Sequence, residues 1–253
     1  MMDIYYLKEK FKKARLSRFD TNCFNADVIG KAERMWEFED SFAFSADDHG
    51  IKRLFYFVPD SDTLNILLDK ITDGPYYLEI ITRDPESISL HSAEVLSRLM
   101  RLSNADCNNV FEKEDLIRYR NDSLVQVADE SDTKRINEIL WNTFKPEVSH
   151  LLSDDELNEI VKSGNVSIHR NGDIDAILQV DVMPKKFYIN QVVNMAEKEI
   201  IHAMMLFRLD QYRRNGGKYI YSWVEDNNTA SLKFHKKYGM EHDGMWNLVF
   251  CVK

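Results

Sequence analysis

The chain has 253 residues, 44% of them apolar and 30% charged, and a net charge of −9. That length can bury a sizeable core and is long for one domain, and no run approaches the about 20 apolar residues that span a bilayer. The negative field disfavours nucleic acid and anionic lipid as main partners and would attract a cationic substrate such as an amine.

Residues 4–18 read as a helix, with Tyr5, Leu7, Phe11, Ala14 and Leu16 weighted to one side. Two apolar strands follow at 36–44 and 54–58, and the turn at 47–50, ending in His49 and Gly50, is a hairpin signal. Asp60 and Ser61 offer an N-cap to a helix reaching Ile71, and Asp73, Gly74 and Pro75 break it. Residues 76–82 read as a strand and 92–102 as a helix. The polar stretch 103–122 is the expected boundary, which gives an N-terminal α+β domain at 1–115 and a second domain at 123–253.

The second domain opens with a strand at 123–127 and a helix from Ser131 and Asp132 through Trp141. Ser153 and Glu156 have the spacing of a capping box, and the helix they start ends at Gly164. Strands at 166–170 and 174–182 are joined by Asn171 and Gly172, the strongest short hairpin signal. A strand at 187–193 follows. An amphipathic helix at 197–214 then stops at Gly216 and Gly217, and a strand at 219–224, a short helix and a final strand close the chain. The three cysteines, Cys23, Cys107 and Cys251, form no metal or disulfide pattern; they read as reduced thiols of a cytoplasmic protein, and no metal site is expected.

Asn228, Ser231, His235, Gly239 and Met240 have the spacing N-x-x-S-x-x-x-H-x-x-x-G-M. This resembles the C-terminal motif of the GCN5-related N-acetyltransferase (GNAT) superfamily, and the element order of the second domain is similar to that superfamily's. The resemblance implies an α/β fold, a GNAT-like mixed sheet with flanking helices. The N-terminal domain repeats part of the order and resembles a degenerate half of a tandem arrangement. An unrelated α+β cap is the other reading.

What the resemblance implies for chemistry can be placed on residues. Acetyl-CoA, or another acyl-CoA, would enter between strands 187–193 and 219–224, where Gln191, Val192 and Val193 would offer backbone groups. The N–H of Val193 would steady the oxyanion. Lys198 would stand near the diphosphate and Asn228 near the ligand while capping its helix. His235 would protonate the departing sulfur; by residue type alone it reads as a surface histidine between Lys233, Lys236 and Lys237. Glu225 is the expected base, with Asp226 and Asp181 as other candidates. The superfamily's glycine-rich diphosphate loop is absent: residues 194–203 hold no glycine or arginine, and Glu197 and Glu199 occupy the helix start. The expected function is acyl transfer to a small-molecule or peptide amine, by a monomer or a homodimer. A catalytically silent GNAT-like binding module is the alternative. An aminoacyl-tRNA-dependent transferase is a further one, which the net charge opposes.

Overall fold

The structure, a computed structural model, describes residues 4–16, 19–23 and 26–253. Its elements in chain order are α1 (Ile4–Leu16), β1 (Asp20–Thr21), β2 (Ala32–Phe38), β3 (Ser41–Asp48), β4 (Ile51–Val58), α2 (Ser61–Leu68), β5 (Tyr76–Thr82), β6 (Ala93–Asn104), α3 (Glu114–Ile117), β7 (Gln126–Val127), α4 (Thr133–Thr143), α5 (Asp154–Lys162), β8 (Val166–Asn171), β9 (Asp173–Met183), β10 (Lys186–Asn194), α6 (Lys198–Arg214), β11 (Tyr219–Glu225), α7 (Thr229–Lys237) and β12 (Glu241–Val252). No helix among the described residues is long and apolar enough to cross a membrane.

Most elements form where local sequence places them. Asp60 caps α2 by accepting from Thr63 N–H, and Ser153 and Glu156 close a reciprocal capping box on α5. His49 and Gly50 take positive φ of 55° and 87° in the β3–β4 turn, as does Gly172 at 82° between β8 and β9. Three expectations need correction. Residues 36–44 are not one strand, because Glu39 at φ 53° turns the chain between β2 and β3. The strand expected at 123–127 is only Gln126–Val127, since a 3-10 turn precedes it. Residues 92–102, rich in helix formers, belong to strand β6. Pairing with β11 inside a sheet overrides a propensity of a few tenths of a kcal/mol per residue, about 0.7 at most. Residues 17 and 18 of the expected first helix lie outside the described ones.

The chain divides into two compact units. The first comprises Met1–Leu99, Pro146–His150 and Met245–Lys253, and the second Met100–Lys145 and Leu151–Gly244. In the first unit the strand order is β2-β3-β4-β5-β12, with β4 and β5 parallel. Its core is built from Leu54, Leu64, Leu68, Tyr76, Leu78 and Phe250, and a second cluster packs Leu7 and Phe11 of α1 on Phe42, Phe44 and Phe57. The parallel rungs join Arg53 to Tyr77 and Leu54 to Leu78. Past them β1 takes over, pairing Asp20 with Val58 and Thr21 with Phe57. Because β3 already holds one edge of β4, β1 must lie on the edge that β5 leaves. Next to it the Asn22 side chain donates to Leu54 O (2.9 Å) and accepts from Tyr56 N–H (3.0 Å), as a paired strand would.

In the second unit the order is β6-β11-β10-β9-β8-β7. One core sets Met204, Met205 and Leu209 of α6 against Phe187, Ile189 and Ile220. The other sets Ile136, Leu140, Leu157 and Val161 of α4 and α5 against Val166, Ile168, Ile177 and Val193. Alternation along β9 divides its side chains between the two, with Leu178 in the first and Ile177 in the second.

Candidate functional site

β10 and β11 are parallel neighbours joined at three rungs, Lys186↔Tyr219, Phe187↔Ile220 and Tyr188↔Tyr221. Both strands continue, to Asn194 and Glu225, yet they form no further rung among the described residues. At the point of parting the Ser222 hydroxyl donates to Ile189 O at 2.9 Å, so a side chain replaces the missing backbone donor. On its other edge β10 carries a bulge against β9 between Ile189 and Gln191, a device that bends a strand away from its neighbour.

The direction of the backbone beyond the bulge follows from register. Gln191 opposes Gln179, and Val193 opposes Ile177. Met195 N–H donates to Asp175 O at 2.8 Å, the next pair in the same register. Hydrogen-bonded and non-bonded pairs alternate in an antiparallel ladder. The backbone groups of Gln191 and Val193 therefore turn toward β9, and those of Val192 and Asn194 toward the gap beside β11. The Val193 N–H, expected at the gap, therefore faces β9 and the Val192 N–H faces the gap, because the bulge changes the parity of the strand. Backbone groups left without a strand partner are ready to pair with an extended ligand.

The segment leading into α6 keeps its acidic character in space. Met195 is 63% exposed, Glu197 is the N-cap and makes no side-chain cap bond, and Glu199 lies in the first turn. Lys198 is exposed, with its Nζ 3.9 Å from Glu199 Oε1. The helix start offers a favourable dipole to an anion, but its own carboxylates stand there first.

β11 ends at Glu225, half-buried, and leads to Asn228, whose side chain accepts from Ser231 N–H at 3.0 Å and starts α7. His235 lies on this helix and is 2% exposed, so it is not the surface histidine that its lysine neighbours suggest. Its Nδ1 lies 2.8 Å from Ser231 O. A carbonyl can only accept, so Nδ1 carries the proton and Nε2 is bare. Nε2 is buried and has no hydrogen-bond partner among the described residues. Burial pulls the imidazole down to about 4, against a small opposing pull from the Ser231 carbonyl. Near neutral pH the free nitrogen is therefore open to accept a hydrogen bond and holds no proton to give. The general-acid role expected of His235 is corrected on this point.

No protein-family model and no curated protein matches the sequence. Solved structures do match the fold. A GNAT-family acetyltransferase from Colwellia psychrerythraea aligns over 100% of this chain and 98% of its own at a TM-score of 0.57 and 13% identity. A tandem GNAT protein from the clavulanic acid biosynthesis pathway covers 83% of this chain and 78% of its own at 0.54 and 9% identity. A GCN5-related N-acetyltransferase from Sphaerobacter thermophilus covers 83% and 76% at 0.53 and 10% identity. The chain has the GNAT fold.

Within that GNAT fold, two groupings escaped sequence reasoning, although Asp181 by itself was a candidate base. The first is a stack behind α7: Tyr119 lies on His202 (4.8 Å between ring centres) and His202 on Phe234 (5.4 Å). His202 Nδ1 is 2.7 Å from Tyr238 Oη, and its Nε2 is 3.4 Å from Lys237 Nζ. Burial, then the Lys237 charge, pulls His202 down to about 4. The second is a row across three strands, in which Asp181 opposes Tyr188 and Tyr188 opposes Tyr221. Alternating tyrosines at 219 and 221 were the available signal for it. Among the described residues no group of three or more His, Cys, Asp or Glu could hold a metal ion.

Proposed function

We propose that the protein is an N-acyltransferase that moves an acyl group, most simply acetyl from acetyl-CoA, to an amine. The observation that carries this reading is the parting of β10 and β11 after the Tyr188↔Tyr221 rung. An extended pantetheine arm would pair there with the gap-facing backbone of Val192 and Asn194, as an added strand does. The Val192 N–H would steady the oxyanion of the attacked carbonyl. Gln191 and Val193, paired toward β9, would hold that geometry rigid. The unpartnered, buried Nε2 of His235 would accept a hydrogen bond from an amide of the bound donor. Asn228 would set α7 and with it His235. A proton acceptor for the amine is drawn from the carboxylates on the strands bordering the gap, Glu225 on β11 and Asp181 on β9.

The first unit has the same parallel pair, but there β1 and Asn22 occupy the free edge of β4. One donor per chain is therefore expected. Binding should be weak, because Glu197 and Glu199 meet the diphosphate at the start of α6 and Lys198 offsets only part of their charge. Isothermal titration with acetyl-CoA tests both points. The expected result is a stoichiometry of one and an affinity that rises about tenfold or more in the Glu197→Gln/Glu199→Gln variant, about 1.4 kcal/mol, with the gain shrinking in added salt. Two sites per chain, or an unchanged affinity in the variant, would contradict it.

The same two carboxylates favour a second reading, a GNAT-like binding module without turnover. In that case acetyl-CoA would bind neither the wild type nor the double variant.

A further inference from the structure

Resting on the acyl-transfer reading, the geometry points to the row Asp181–Tyr188–Tyr221, with Gln179 beside it, as the acceptor site for a positively charged alkylamine, whose proton Asp181 takes. The row is the last rung before β10 and β11 part. Directly opposed residues share a sheet face, so the three side chains stand side by side where the donor's reacting end would enter. Tyr188 and Tyr221 stack at 4.9 Å and 17°, and Tyr219 continues the wall at 5.8 Å from Tyr221. Among the described residues none of the three tyrosines packs into either core of the second unit. A wall of tyrosine faces that is not part of a core is what an alkylammonium binds, through cation–π attraction and contact with its methylenes.

Two acceptors on that face are short of donors. The Asp181 carboxylate receives one weak bond, from Asn190 Nδ2 at 3.3 Å, and Asn190 sits at the bulge. Gln179, two residues along β9 and 1% exposed, has a buried Oε1 without a hydrogen-bond partner among the described residues. A buried acceptor left empty is destabilising. A primary ammonium carries three donors and could satisfy both groups. Two cations bear on the row: Lys186 stands on the same face two rungs back and is exposed, and Arg101, near Tyr221, is tied to Asp243 at 2.7 Å. Partial burial raises the Asp181 carboxyl above its ordinary value, which suits a group that must accept a proton.

The transfer then balances. The ammonium gives one proton to Asp181. The neutral amine attacks the thioester carbonyl carbon, the C–N bond forms and the C–S bond breaks. The sulfur leaves as a thiol, with the second proton that nitrogen sheds, and the amide remains.

The test needs no donor, so an absent acyl-CoA site would leave its result untouched. n-Butylammonium and its neutral counterpart n-butanol are titrated into the protein, with affinity read by ligand-observed NMR and the ring resonances of Tyr188 and Tyr221 followed in the wild type. Millimolar binding of n-butylammonium with shifts at both rings is expected, with no binding of n-butanol. Asp181→Asn keeps the shape and the contact with Asn190 and should weaken n-butylammonium about tenfold or more, the scale of a lost charged hydrogen bond. Equal affinity in Asp181→Asn, equal binding of the alcohol, or tyrosine resonances that do not move would each overturn the assignment. If Asp181→Asn fails to fold, the wild-type comparison of amine with alcohol still decides.

Discussion

Between about pH 7 and pH 4 the second unit should lose roughly 6 kcal/mol of folding stability, from two buried histidines. His202 and His235 are 3% and 2% exposed and are both pulled from 6.5 to about 4. Each is neutral in the fold and would be charged in the unfolded chain. A depressed folded value means that the unfolded state binds more protons below 6.5. Stability is therefore intact above that point and falls as the pH drops from 6.5 through 4. The drop from 6.5 to about 4, at about 1.4 kcal/mol for each tenfold change in proton affinity, gives roughly 3 kcal/mol for each. The sum is a large part of the about 5–15 kcal/mol that a domain possesses.

In the first unit His150 should contribute in the opposite direction. His150 bridges Glu79 Oε1 (2.6 Å) and Asp48 Oδ2 (3.1 Å) and is raised to about 9, because those hydrogen bonds outweigh its burial. A raised value gives stability that is full below 6.5 and lost as the pH rises through 9. Its side chain is 57% exposed, so solvent screening keeps the effect small. Urea unfolding at several pH values, followed at Trp141 and Trp223 for the second unit, checks the acid limb. A midpoint that stays level from pH 7 to about pH 4.5, or a slope that survives in His202→Gln/His235→Gln, would contradict it.

Replacing Arg53 with alanine should destabilise the first unit by about 3–5 kcal/mol, the cost of breaking a buried charge network from one side. Arg53 is 3% exposed. Its Nε contacts Asp48 Oδ2 (3.1 Å), and its Nη atoms donate to the carbonyls of Glu147 (2.6 Å), Pro146 (2.7 Å) and Ser149 (3.3 Å). Glu79 Oε1 lies 3.8 Å away and also receives His150, while Asn247 donates to Glu79 Oε2 at 2.5 Å. The guanidinium thus pins residues 146–149 to β4. Without it three carbonyls and the Asp48 carboxylate lose a donor, and Glu79 loses a neighbouring positive charge. Arg53→Lys should recover only part, since one ammonium cannot reproduce the planar fork. Denaturant unfolding followed at Trp36 and Trp246 measures the loss, and a change under about 1 kcal/mol, the size of a surface pair, would show that the network is solvent-relaxed.

What was legible in the sequence was local chemistry. The capping box at Ser153, the Asn228 cap, the turns at Gly50 and Gly172 and the strand at 76–82 depend on neighbours in the chain. So does the order of the second unit, with β10 and β11 set as parallel strands around α6. What was hidden depends on residues distant in sequence. The helix formers of 92–102 could not announce a neighbouring strand. The lysines around His235 suggested solvent, although its ring is turned inward. The bulge that moves the gap-facing backbone from Val193 to Val192 exists only in the register of β10 against β9. His150 has no local partner, and its two carboxylates come from β3 and β5.

Hydrogen exchange of the apo protein against the acetyl-CoA-saturated protein tests the proposed activity most directly, read by mass spectrometry over peptides spanning 186–194 and 219–225. If the donor adds itself as a strand between β10 and β11, the amides of Val192 and Asn194 should exchange more slowly on binding. Peptides covering β4 and β5, where β1 already occupies the edge, should be unchanged. Saturating acetyl-CoA that leaves 186–194 and 219–225 exchanging at the apo rate would contradict a donor site in that gap.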